Sequence, residues 1–139
     1  MLIKYNDDEG YENRLLKLFE YLSNSKDIIQ IENLIFHILL YKWKPIPPSA
    51  KPLRWYENLN EIRVKIWNNL YRINYFVDLK NNYMVLLNWY TKPDWKNNSN
   101  NYNKSKKKKI DKIIEESIKE AELLQKNYYL NIWNYDFYN

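Results

Sequence analysis

Arginine is rare in this chain, and that makes its placement informative. Of 22 basic side chains only Arg14, Arg54, Arg63 and Arg72 are arginines. Lys, Asn, Ile and Tyr, whose codons are rich in A and T, crowd the sequence, so much of the lysine reflects codon bias. An arginine then marks a place where lysine does not serve. What arginine adds is a planar fork of donors that matches phosphate oxygens. Arg63 and Arg72 lie in two runs of strand-like residues, with Lys65 between them, and Tyr90 and Lys92 close a third run. A cationic face with an adjacent phenol suits the phosphodiester backbone of RNA. Trp89, Trp95 and Tyr102, close by in sequence, offer ring faces on which unpaired bases stack. The competing reading is a solvated sheet face whose cations pair with Glu57 or Glu61. The residue types alone leave both open.

Composition removes many other chemistries. The chain has 139 residues, 45% hydrophobic and 28% charged, with a net charge of +5. That is one domain with enough apolar surface for a core, and a charge that favours an acidic partner. There is no cysteine, which excludes thiol nucleophiles and disulfides. One histidine excludes a two-histidine zinc site, and one glycine, Gly10, excludes a glycine-rich phosphate loop. No metal or cofactor is expected. No apolar run approaches the roughly 20 residues of a membrane span, and the acidic start does not read as a signal peptide. A cytoplasmic protein is expected.

The elements that must position these residues follow from hydrophobic period. Tyr11, Leu15, Leu18, Phe19 and Leu22 predict a first helix over 11–22. Ser23-Asn24-Ser25 offers a cap, and Ile28, Ile31, Leu34, Ile35, Ile38 and Leu39 form the stripe of a second helix. This helix must end before Pro45-Ile46-Pro47-Pro48. From Leu59 the period becomes two. Ile62, Val64 and Ile66 alternate with Glu61, Arg63 and Lys65. Asn68-Asn69 is the expected hairpin turn, returning through Tyr71–Val77, and a five-residue turn, 78–82, leads to a third strand, Tyr83–Tyr90. That register puts Arg63, Lys65 and Arg72 on one face, with Asn88 and Tyr90 beside Arg72. A one-residue change in the second turn would flip the last two. Residues 93–109 read as a polar connector, and Ile110 to Leu124 as a third helix. Residues 127–139 are an aromatic tail without a clean period. The expected fold is α+β: two N-terminal helices packed on a twisted antiparallel meander, then a third helix and the tail, in a single domain spanning 1–139.

The run Pro48-Ser49-Ala50-Lys51-Pro52-Leu53, then Leu59-Asn60-Glu61-Ile62-Arg63, Tyr71-Arg72-Ile73-Asn74-Tyr75-Phe76 and Val85 through Lys92 resembles the RelE/ParE superfamily of type II toxin–antitoxin toxins. The HigB-like, phage-associated branch is the nearest in pattern, over residues 28–125. The resemblance implies two N-terminal helices against an antiparallel sheet and a ribosome-dependent endoribonuclease that cuts mRNA. It also implies a helix-turn-helix antitoxin as partner. Arg63 and Arg72 match the family's two strand arginines on the scissile phosphate, Tyr90 its terminal aromatic and Lys92 the first lysine after it. Pro93 stands where a second lysine is usual. The connector is longer and richer in Asn than the family's, and the tail has no counterpart.

The resemblance implies attack by the ribose 2′-hydroxyl, with Arg63, Arg72 and Lys92 stabilising the charged transition state. Tyr90, ordinarily near pKa ~10, would serve as base only if nearby cations lowered that value. Lys65, Trp89, Trp95 and the tetralysine Lys106, Lys107, Lys108 and Lys109 are the expected RNA contacts. Positive charge is disfavoured at a helix start, which argues that those four lysines meet an anion. Two other functions remain open: a gyrase-inhibiting toxin of the same superfamily, and a non-catalytic binding module of a phage or mobile element.

Overall fold

The computed structural model describes residues 2–8, 10–40, 49–93, 104–132 and 135–138. Trp95 and Tyr102 lie outside the described residues. The chain is an α+β protein with three helices and a six-stranded mixed sheet among those residues. In chain order the elements are β1 (Leu2–Asn6), α1 (Leu15–Leu22), α2 (Ser25–Leu40), β2 (Ala50–Pro52), β3 (Asn60–Ile66), β4 (Asn69–Asp78), β5 (Tyr83–Pro93), α3 (Lys104–Tyr128) and β6 (Tyr135–Phe137).

The strand order is β2-β3-β4-β5-β1-β6. The expected meander is β3 to β5. Three strands extend it that the hydrophobic period does not announce, and the first, β2, pairs antiparallel with β3. β1 joins β5 in parallel, Leu2 opposite Tyr83 and Tyr5 opposite Leu86. The tail supplies β6, antiparallel to β1, with Lys4 opposite Phe137. The purely antiparallel expectation is therefore corrected to a mixed sheet. Lys4 explains part of the docking. Its ammonium lies 4.5 Å from the Phe137 ring centre and 5.1 Å from that of Tyr83, and donates to the Ile132 carbonyl at 3.3 Å. Such cation–aromatic contacts are attractive when shielded from water. Tyr138 continues the strap, its amide bonding to Ile3 O at 2.8 Å and its hydroxyl donating to Glu32 of α2.

Helices cover both faces of the sheet. On one face Leu15 and Leu18 of α1 and Ile31, Ile35 and Ile38 of α2 pack on Ile62, Val64, Ile73, Met84 and Leu86. The i, i+4, i+7 spacing of the three isoleucines is what puts them on one helical stripe. On the other face Ala121, Leu124 and Tyr128 of α3 meet Leu53, Phe76, Val85 and Leu87. Fully burying one such aliphatic side chain stabilises by about 1.5–3 kcal/mol. α1 begins at Leu15, not at Tyr11, because Arg14 is extended and gives no side-chain cap. Asn24 does cap α2, its Oδ1 accepting from the Lys26 amide at 2.9 Å. α3 starts at Lys104, so residues 104–109 of the expected connector are helical.

Two local features set which side chains share a face. The β3–β4 turn is Trp67-Asn68, one residue earlier than expected, and Ile66 pairs with Asn69. Trp67 takes a left-handed φ of 57°, a position where glycine is favoured and another L-residue costs roughly 1–2 kcal/mol. The pairing slides by two residues, which leaves the faces unchanged. Arg63 is opposite Arg72, and Lys65 opposite Leu70. The β4–β5 turn is also shorter by one residue, since Asp78 pairs with Tyr83. By itself that would turn Asn88 and Tyr90 to the α1/α2 face. A β-bulge between Asn74/Tyr75 and the facing β5 residues reverses the parity again, and Asn74 pairs with Asn88 and Arg72 with Tyr90. Bulges commonly re-aim side chains in this way.

Candidate nucleic-acid interface

The α3 face of the sheet changes character along its strands. Below the bulge it is mostly apolar, with Leu53, Phe76, Val85 and Leu87 under α3 and Asp78 accepting from the Tyr128 hydroxyl. At the bulge it is a chain of amides: Asn74 Nδ2 donates to Asn88 Oδ1 at 2.8 Å, and Asn88 Nδ2 donates to Ser117 O at 2.9 Å and Glu120 Oε1 at 3.1 Å. These bonds fix the height of α3 over β4 and β5. Above them the face is charged. Arg63, Arg72 and Tyr90 stand in one cross-strand row, because β3, β4 and β5 pair these residues directly.

Glu61 stands in the neighbouring row, opposite Lys51 and Asn74, and its carboxylate joins this row, as the competing sequence reading has it pair with these cations. Its side chain is 4% exposed. Arg63 Nε donates to Glu61 Oε1 at 2.9 Å, and Arg72 Nε and Lys51 Nζ each stand 3.8 Å from the same oxygen. The Tyr90 hydroxyl donates to Glu61 Oε2 at 3.4 Å. Lys51 arrives because β2 pairs it directly with Glu61. A register of the β2–β3 ribbon is the only signal that would reveal this pair, and β2 is three residues long. Like charges placed side by side on a sheet repel each other, and Glu61 relieves that repulsion within the protein. One carboxylate faces three of the cations, so positive charge remains in excess.

Exposure within the cluster is graded. The Arg72 side chain is 10% exposed, Arg63 33% and Lys51 44%. Burial holds the Arg72 guanidinium below its ordinary value, Glu61 opposes that shift, and Arg63 adds to it. It remains a cation at any physiological pH. Lys92 is also held down, first by burial and then by the charge of Arg72, with Glu61 and Asp111 pulling the other way. Lys92 stands in the next row of this face, opposite Leu70. Tyr90 moves opposite to what a base requires. Burial pushes its phenol up, the Glu61 charge pushes further, and Arg72 lowers it by less. The lowering by cations on which a base role for Tyr90 depends is outweighed by burial and Glu61, and the hydroxyl donates to Glu61 Oε2.

The remaining expected contacts separate. Lys65 is exposed on the same face, one row nearer the β3–β4 turn. It borders a shallow groove with Gln30, His37 and Arg63. Trp89 is on the opposite face, buried in the α1/α2 core, with its indole N–H donating to Arg14 O at 3.1 Å and its ring 5.7 Å from that of Tyr21. It is not available to stack on a base. Lys106, Lys107, Lys108 and Lys109 are exposed on the first turns of α3. Among the described residues no group of three or more His, Cys, Asp or Glu is placed to hold a metal, and no helix is long and apolar enough to cross a membrane. No protein-family model, curated protein or solved structure matches the chain.

Proposed function

We propose that the chain is a toxin of the RelE/HigB-like kind, a ribosome-dependent endoribonuclease that cuts mRNA and is restrained by a helix-turn-helix antitoxin. One observation carries the reading: Arg63, Arg72 and Tyr90 converge on a half-open sheet face around a single carboxylate, with Lys92 one row away on the same face. A phosphodiester brings an anion that this excess of cations accommodates, and Arg63 and Arg72 present guanidinium groups side by side for it. Their charge acts most strongly on the transition state, where the phosphoryl oxygens carry added negative charge.

The chemistry needs a proton acceptor and a proton donor. Glu61 is the acceptor in this cluster. It takes the proton of the 2′-hydroxyl as O2′ bonds to phosphorus. Lys92, whose ammonium is made more acidic by burial and by Arg72, protonates O5′ as the P–O5′ bond breaks. A 2′,3′-cyclic phosphate and a 5′-hydroxyl result. Tyr90 holds Glu61 by its hydroxyl hydrogen bond.

The burial of Glu61 also favours a second reading, a non-catalytic binding module of a phage or mobile element, in which the ion cluster is structural. Induced expression in a bacterial host separates them. The toxin arrests growth and leaves new mRNA ends on ribosomes, and Arg63→Ala and Arg72→Ala do neither while staying folded. A wild type that is harmless and cuts nothing leaves the binding module. Arrest with intact messages and altered DNA supercoiling identifies a gyrase inhibitor.

A further inference from the structure

Trp67 occupies the first position of the two-residue β3–β4 turn with φ 57° and is 81% exposed. Both facts run against ordinary preference. The turn favours glycine there, and a large aromatic is usually withdrawn from water. Its neighbours give the exposed ring a chemical setting. The turn closes the row Lys65, Leu70, Lys92, and the next row is Arg63, Arg72, Tyr90. From Arg63 to Trp67 is four residues, about 13 Å along a strand, a distance that one short single-stranded segment spans.

We propose that Trp67 is a stacking platform for one unpaired base of an RNA strand whose backbone runs along Lys65 and Lys92 to Arg63 and Arg72. The inference rests on the RNA reading above and adds to it the substrate form, single-stranded with a base turned outward. Every base has a ring face, so the contact tolerates sequence while requiring an unpaired nucleotide. It also reassigns the stacking expected of Trp89, whose ring is enclosed.

The test is binding of a short, end-labelled, 2′-O-methylated single strand, which is not cleaved, at low salt. Trp67→Gly should weaken binding by about 5- to 100-fold, and Trp67→Tyr should restore most of it. An abasic nucleotide stepped along the strand should reproduce the loss at one position, with no further loss when combined with Trp67→Gly. Trp55, 91% exposed with φ 74° at the other end of β3, is the matched control. Trp55→Gly should leave affinity within about twofold. If Trp67→Gly binds as wild type while Arg63→Ala and Arg72→Ala do not, the stacking inference fails and the RNA reading stands. Equal losses for both tryptophans, or a loss with no abasic-sensitive position, also overturn it. If wild type binds no single strand at all, the stacking inference fails, and the toxin reading is decided by growth arrest and the mRNA ends on ribosomes.

Discussion

Glu61 ties the residue-scale chemistry to stability. Its carboxylate is buried among cations, one of which, Arg72, is itself nearly buried. Glu61→Gln keeps the shape and removes the charge. Breaking a buried pair from one side leaves the partner uncompensated and should cost about 3–5 kcal/mol. Added inorganic phosphate should recover part of that loss, because an anion bound only by the folded state stabilises it. The thermal midpoint of Glu61→Gln should therefore rise with phosphate more steeply than that of wild type. A parallel response in both proteins would mean that the cluster takes no external anion. Arg72→Lys is the companion experiment. It retains a cation and removes the fork, and should lower the cleavage rate on ribosomes by about a hundredfold, the scale of one missing transition-state donor. Arg63, Arg72 and Tyr90 were legible because arginine is scarce and the strand period is clear. Glu61 was legible as a partner of these cations but not as a buried carboxylate, since that depends on packing and on Lys51, carried by a three-residue strand. Trp89 shows a related limit: the expected register already turns it away from Tyr90, but its enclosure by α1 and α2 depends on tertiary packing.

At the scale of elements, the β3–β4 turn carries a cost that nothing in the sheet requires. Trp67→Gly relieves a left-handed tryptophan and should stabilise the fold by about 1 kcal/mol, a rise in midpoint of roughly 4 °C for a chain of this size. Thermal denaturation of the purified variant measures it, and an unchanged or lower midpoint would place the ring in a packing role. The start of α3 is a second misfit. Lys106 to Lys109 stand where the helix dipole repels cations and where no acidic residue occupies the first turn. Replacing the four with glutamine should flatten the salt dependence of RNA or ribosome binding, by roughly 0.7 in logarithmic slope for each phosphate that is no longer neutralised. The saturated cleavage rate should not change. A reduced rate with the original slope would put these lysines at the reaction. The long helices and the β3–β5 ribbon were readable from period alone. β1 and β6 were not, because each is short, polar in part, and made a strand by its neighbour.

For the whole molecule, the aromatic content becomes a pH boundary. Burial raises the phenols of Tyr75, Tyr90, Tyr128, Tyr135 and Tyr138 well above their ordinary value of 10.0. Accepting carboxylates add to the shift for Tyr90 at Glu61, Tyr128 at Asp78 and Tyr138 at Glu32. An acid whose folded value is raised keeps its proton in the native state after the unfolded chain has lost it. Its stabilisation is complete below pH ~10 and disappears as pH climbs toward the folded value. Stability should accordingly be flat through neutral pH and fall steeply above pH ~10. Tyrosinate absorbance should appear together with loss of circular dichroism, in one cooperative step. Phenols that ionise well before the fold opens would contradict the burial of these rings. The six-stranded sheet binds this whole, since Tyr75 and Tyr138 line one of its cores and Tyr128 and Tyr135 the other.

The position of β1 between β5 and β6 has a consequence for the order in which the chain acquires its shape. Although β1 is made first at the ribosome, its parallel partner β5 emerges only after α1, α2 and three further strands, and its other neighbour comes last. Closing so long a loop is slow, and contacts distant in sequence form late. β3, β4 and β5 are joined by tight turns and need no such wait. The ribbon that carries Glu61, Arg63, Arg72 and Tyr90 is therefore able to pair early in synthesis, while the molecule is still open along the β5 edge where its first strand will later be inserted.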